Sequence, residues 1–178
     1  MIEKIIKIAI TGPESTGKST LAAALAQKFH TVYVPEFARI YLNDLNRAYN
    51  EKDLLLIAQG QKSLEKEYLQ RAKNGILICD TEMYVMKVWS QHAYQRVHPW
   101  IENALQQQDY DYYFLMDIDI PWSPDPLREH PQPHMRAYFL NWYERLLTED
   151  KVPFSILSGN ADERLQKAIE ILKELKIC

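Results

Sequence analysis

The chain has 178 residues, 47% of them hydrophobic and 25% charged. That length and mix suit one globular core closed without disulfide or metal staples, and they exclude a short peptide, a fibrous repeat and a disordered tail. Lys+Arg number 21 against Asp+Glu 24, whereas a protein that grips nucleic-acid phosphates carries a basic face, so no nucleic-acid partner is expected.

The first apolar run, Ile5–Ile10, reads as a strand. Leu21, Leu25 and Phe29 then recur every fourth residue, which predicts a helix. Val32–Val34 is a second short strand. Leu54, Ile57, Leu64 and Tyr68 stay near one helical face. Ile76–Cys79 and Tyr112–Met116 are the third and fourth strands. Met135, Phe139, Trp142 and Leu146 predict a further helix, and Phe154–Leu157 a fifth strand. Asn160 with Glu163 has the spacing of an N-cap and its back-bonding partner, ahead of Leu165, Ile169 and Leu172.

Most of these strands are continuous apolar runs, as in parallel sheets covered on both faces. The β-α-β-α order predicts an α/β fold with an open parallel sheet. One domain over residues 1–178 is expected, with no internal repeat. Pro121–Pro133 holds five of the nine prolines and cannot be an interior strand or regular helix. A loop of that length in a compact domain tends to carry function, so a lid over residues 121–134 is expected, with a plain linker as the other reading.

Cys79 lies inside an apolar run and Cys178 ends the chain; neither forms a CxxC pair, which argues against a zinc ribbon or a disulfide scaffold. His130 and His134 flank Pro131 and Pro133, so no helical zinc face is expected there and no structural metal is predicted. No apolar run approaches the ~20 residues a bilayer span needs. The opening MIEKIIKIAI is too short and too charged for a signal peptide. A soluble, cytoplasmic protein without a membrane partner is expected; the oligomeric state is not legible.

Gly12-Pro13-Glu14-Ser15-Thr16-Gly17-Lys18-Ser19 fits G-x-x-x-x-G-K-[ST] between a predicted strand and a predicted helix. The glycines allow a tight turn whose N–H groups surround an anion, and the helix start adds its positive end. Residues Gly12 to Thr20 are therefore the candidate triphosphate cradle. Lys18 is placed to reach the β- and γ-phosphates and Ser19 to ligate Mg²⁺. There is no N-K-x-D motif for guanine and no full L-S-G-G-Q. Thr81, not an acid, follows Asp80, which favours transfer to a bound acceptor over hydrolysis.

Ligands of open α/β sheets bind beyond the carboxyl ends of the strands. Glu36 lies at the second such end, able to position or deprotonate an acceptor hydroxyl, or to cap the next helix and pair with Arg39. Asp80 lies at the third, as a Mg²⁺ partner or as the base itself. Arg128 in the lid is placed to offset phosphoryl charge, while Arg136 reads as solvated or as its helper. Phe37, Tyr41, Tyr84 and Trp122 are candidates to stack on an aromatic base, and Ser158–Asn160 to border the adenine.

The blocks Gly12–Leu21, Pro35-Glu-Phe-Ala-Arg39, Asp80-Thr-Glu82 and Trp122 with Asp125-Pro-Leu-Arg128 together resemble the nicotinamide riboside kinase domain of NadR-type proteins. The resemblance runs in order along nearly the whole chain. It implies a three-layer P-loop kinase core with strand order 2-3-1-4-5, ATP and Mg²⁺ as cofactors, and phosphorylation of the 5′-hydroxyl of nicotinamide riboside. It places Glu36 and Asp80 in the acidic substrate and Mg²⁺ region and Arg128 in the lid. The expected substrate contacts are Glu36, Phe37, Arg39, Tyr84, Trp122 and Asp125. Bifunctional members carry Trp before the Glu of the second block; here Pro35 stands there, leaving Phe37, Tyr84 or Trp122 to stack on the ring. Their lids read Asp-Gly-Leu-Arg, whereas Pro126 stiffens this one. Because Gly12 follows so closely on Met1, an adenylyltransferase or DNA-binding domain is not expected upstream. Another nucleoside or nucleoside monophosphate kinase, and a nucleotide-binding regulatory module, are the alternatives.

Overall fold

The computed structural model describes residues 4–177. Five strands, β1 (Ile6–Thr11), β2 (Tyr33–Val34), β3 (Ile76–Asp80), β4 (Tyr112–Met116) and β5 (Phe154–Leu157), form one sheet in the order β2-β3-β1-β4-β5. All four pairings are parallel. Seven helices connect them: α1 (Lys18–Lys28), α2 (Phe37–Asp44), α3 (Glu51–Leu69), α4 (Met83–Tyr94), α5 (Pro99–Gln106), α6 (Pro133–Glu149) and α7 (Ala161–Glu174).

Alternation along the strands splits the core into two faces. Leu77, Cys79, Tyr113 and Leu115 pack with Leu54 and Ile57 of α3, Met83 and Met86 of α4, and Phe139 of α6. Ile8, Ile10, Ile78 and Phe114 pack with Leu21 and Leu25 of α1 and Ala168 and Leu172 of α7. Helices therefore cover both faces, which with the strand order gives the three-layer α/β architecture that the resemblance implies. The parallel register sets Val34 beside Cys79 and Ile10 beside Asp80, so the chain leaves β1, β2 and β3 at the same end of the sheet.

Asn160 and Glu163 form the expected capping box at α7, and Asn50 with Asp53 forms a second at α3. The proline-rich loop ends one residue before Pro133, where α6 begins, because proline is tolerated at the first helical position. The helices α2, α4 and α5 are additions to the expected elements: α2 and α5 have only eight residues each, and α4 carries a helical face at Val85, Val88, Trp89 and His92. Cys79 is buried and free, and burial pushes its thiol pKa far up, so it is an inert core residue; Cys178 lies outside the described residues. Among the described residues no helix is long and apolar enough to cross a membrane.

Candidate active site

The P-loop leaves β1 at Gly12, whose φ is +127°; a Cβ there would stand 3.1 Å from the Met116 carbonyl oxygen. Both conformation and space thus demand glycine. Gly17, at φ +80°, is the N-cap of α1 and offers no side chain to its first N–H groups. The helix therefore begins without a side-chain acceptor, and its positive end opens into the loop. The Thr16 hydroxyl braces the loop by donating to the Pro13 carbonyl at 2.8 Å. Lys18 Nζ donates to the carbonyls of Gly12 at 3.1 Å and Pro13 at 2.7 Å, which holds the ammonium at the rim of the loop.

Glu36 ends the connection from β2 and occupies the N-cap position of α2, yet its side chain makes no capping bond. It does not pair with Arg39 either, because Arg39 donates to Asp125 at 3.0 Å. Its carboxylate is left facing the cavity at the P-loop. Asp80 closes β3 and is buried, with Oδ1 lacking any hydrogen-bond partner. Burial, and then the charge of Glu36, push its pKa up to about 6; the Ser19 hydroxyl, Lys18 and Arg39 oppose the rise. An unpartnered buried carboxylate oxygen beside a hydroxyl is a costly arrangement unless something binds it. Those oxygens suit Mg²⁺, which takes one or two protein ligands and completes its shell with water and phosphate oxygens.

The proline-rich loop rests on the P-loop. Glu14 accepts from the N–H groups of His130 at 2.6 Å and Glu129 at 3.0 Å, and from Trp122 Nε1 at 3.2 Å. The Ser15 hydroxyl oxygen accepts from the Ser123 N–H at 2.9 Å. On the other side of the cavity, Tyr49 donates to Glu129 at 3.2 Å. Arg128 bonds the Ser123 carbonyl and lines the cavity. Arg136 is not solvated: it is buried and donates to the carbonyls of Ile120 at 3.0 Å and Ser15 at 3.3 Å. Arg164, absent from the sequence reading, is buried on α7 and ties the Thr16 carbonyl to Asp119 and the Asp117 carbonyl. Both arginines fix loop backbone, a long-range task with no local motif.

The cavity has a volume of about 400 Å³ and runs from the P-loop past Glu36 and Arg128 to a wall of Tyr49, Val88, Trp89, His92, Phe139 and Tyr143. Tyr49 and Trp89 meet edge to face with centroids 5.0 Å apart, and Trp89 Nε1 donates to the Tyr49 oxygen at 3.0 Å. Arg39 and Arg47 also reach this wall, each already paired, Arg47 with the buried Asp53 at 2.6 Å. Several expected contacts are elsewhere. Tyr84 is a core residue that donates to Asp150 at 2.7 Å, and Phe37 fills the space beside Gly60, where a Cβ would fall 2.0 Å from its ring. Tyr41 donates to Asp53 rather than reaching the cavity. Trp122 and Asp125 are lid contacts, to Glu14 and Arg39. The Asn160 side chain accepts from the Glu163 N–H, and Ser158 donates to Asp117, so both side chains are occupied at the start of α7. Trp89 and His92 were missed, although Val85, Val88, Trp89 and His92 follow the i, i+3, i+4, i+7 pattern of one helical face.

A family model described as an AAA domain matches residues 7–164. The chain belongs to that AAA-domain family. It is similar to the trifunctional NAD biosynthesis/regulator protein NadR of Salmonella typhimurium, at 25% identity over 175 residues, covering 94% of this chain and 42% of the relative. This AAA-domain chain thus spans about two-fifths of that relative's length, and the likeness read from a few blocks extends along nearly all of this chain. Among solved structures, a NadR protein in complex with NR aligns with TM-score 0.82 and 22% identity, covering 95% of this chain and 51% of that one. A NadR protein in complex with NAD and AMP-PNP aligns with TM-score 0.77 and 20% identity, covering 95% and 49%. These alignments establish the P-loop kinase fold.

Proposed function

We propose that this protein transfers the γ-phosphoryl group of ATP to the ribose 5′-hydroxyl of nicotinamide riboside, giving nicotinamide mononucleotide and ADP. The observation that carries the reading is the unpaired carboxylate of Glu36, set in a cavity that starts at the P-loop and ends among aromatic rings. An acid held free at that position is suited to orient an acceptor hydroxyl and take its proton, and positioning dominates phosphoryl transfer.

In this mechanism the 5′-oxygen attacks the γ-phosphorus and the bond to the bridging oxygen breaks, releasing ADP. Glu36 accepts the hydroxyl proton. The N–H groups of the P-loop and α1 hold the phosphates. Lys18, anchored at the rim by two carbonyls, moves to the β- and γ-phosphate oxygens. Arg128 supplies positive charge from the lid. Ser19 and Asp80 would hold Mg²⁺, which neutralises phosphate charge when bound.

The acceptor end favours a nucleoside over a nucleoside monophosphate. A phosphate on the acceptor would need unpaired cations, but Arg39 and Arg47 are paired with Asp125 and Asp53, and Arg136 bonds backbone carbonyls. Tyr49 and Trp89 suit a flat ring, and the Glu129 carboxylate that accepts from Tyr49 favours one that carries positive charge, as the pyridinium of nicotinamide riboside does. The similarity to a NadR protein solved with NR supports the same acceptor.

The test is ADP release with Mg-ATP across nicotinamide riboside, purine and pyrimidine nucleosides and their monophosphates, with product masses measured. Release that depends on nicotinamide riboside and yields its mononucleotide is the expected result. Release with another nucleoside keeps the chemistry and replaces the ring. Bound ATP without transfer to any acceptor overturns the kinase reading in favour of a regulatory module.

A further inference from the structure

We propose that Glu14 is a positioning residue: its carboxylate reaches from the P-loop into the lid and docks it, so that Arg128 is presented to the transferring phosphoryl group. An acidic side chain in a loop that cradles phosphates is electrostatically unfavourable unless its charge is answered elsewhere. Here it is answered by the lid. The adjacent N–H groups of Glu129 and His130 bind the two carboxylate oxygens separately, at 3.0 and 2.6 Å, and Trp122 Nε1 joins the second at 3.2 Å.

These donors come from both ends of the segment 122–130, so one side chain ties the loop's beginning to its end. Between them a turn closed by the Arg128 N–H on the Asp125 carbonyl, at 3.0 Å, carries Arg128. The lid needs such an external anchor. Five prolines in Pro121–Pro133 remove amide donors, and the segment before Pro133 holds no helix or strand of its own. Its Ser123, Glu129 and His130 amides donate instead to side chains of Glu14 and Ser15. Arg136 reinforces the junction by bridging the Ile120 and Ser15 carbonyls. Lid position is thereby coupled to the shape of the loop that binds nucleotide.

The inference rests on the kinase reading only for its effect on turnover. Amide hydrogen exchange and Mg-ADP affinity, measured on the full chain, test the docking itself and do not involve the acceptor. In Glu14→Ala, exchange in the segment 121–132 should rise about tenfold or more while β1, β3 and β4 stay unchanged. Mg-ADP affinity should stay within about threefold, because Lys18 and the loop amides remain, while kcat falls about 10- to 100-fold from a misplaced lid. Trp122→Phe, which removes one donor from a half-exposed lid residue, should show the same pattern more weakly and decides the matter if Glu14→Ala does not fold. Unchanged lid exchange, unchanged kcat, or Mg-ADP affinity lost in step with kcat would each overturn the proposal, the last by making Glu14 a determinant of loop shape alone.

Discussion

Arg39 Nη1 donates to Asp125 Oδ2 at 3.0 Å, which joins the first turn of α2 to the lid. The pair connects the helix that begins beside Glu36 with the loop that carries Arg128. Its members are partly exposed, so the bond itself is worth no more than about 1 kcal/mol. Its consequence is geometric. Arg39→Ala should shift Tm by no more than a few degrees and raise the acceptor KM severalfold, read by thermal melts and steady-state kinetics. An unchanged KM would show that this pair takes no part in closing the site.

Lys18→Ala removes the mobile cation of the P-loop while leaving its backbone in place. Turnover should fall by about three orders of magnitude or more, with circular dichroism and Tm little changed. Near-normal turnover would sink the assignment of the triphosphate site.

Glu36→Gln should lower kcat far more than it raises the acceptor KM, because the amide still accepts a hydrogen bond and no longer takes a proton. The opposite split would make Glu36 a binding group only. Asp80→Asn should instead raise the Mg²⁺ concentration needed for half-maximal rate, a shift that Glu36→Gln should not produce.

Glu82 is fully buried at the N-cap of α4, accepting from Thr11 Oγ1 at 2.8 Å and from the Tyr84 N–H at 2.7 Å. Burial outweighs those bonds and pushes its pKa up from 4.5 to about 7. The folded state therefore binds more protons than the unfolded state between these values, so the Glu82 contribution to stability declines as pH rises through that window. Denaturant unfolding of the parent and of Glu82→Gln from pH 4.5 to 7.5 should diverge in slope, the parent losing on the order of 2 kcal/mol relative to the variant. Parallel profiles would place the carboxyl pKa near its ordinary value.

Tyr84→Phe should cost about 1 kcal/mol of stability through the lost bond to Asp150 and leave the acceptor KM unchanged, since the ring lies in the core. Trp89→Ala should raise that KM about tenfold or more. The reverse pattern would place the ring site at Tyr84, one of the four aromatic candidates in the sequence.

The parts that the sequence made legible are those encoded by neighbours along the chain. Gly12, Gly17, Lys18 and Ser19 are recognisable because a phosphate loop needs these residue types at fixed spacing. The Asn160–Glu163 capping box is local in the same sense. Glu36 and Asp80 were legible one step further, because parallel strands all deliver their ends to one side. Tyr84 shows where that logic fails: it follows a strand end by four residues, yet α4 turns it inward onto Tyr113 and Asp150.

By itself, then, the sequence determined the phosphate loop, the parallel sheet and the acids at its carboxyl edge, since each rests on spacing within a few residues or on a rule of chain topology. Tertiary structure alone decided which charges are free and which are engaged. Arg39 and Asp125 are 86 positions apart and Glu14 and His130 are 116 apart. No periodicity spans such gaps. Partners this distant are chosen by how the proline-rich loop folds back over the P-loop and how the helices pack, and that choice leaves Glu36 unpaired, turns Glu14 toward the loop and lines the far end of the cavity with Trp89 and Tyr49.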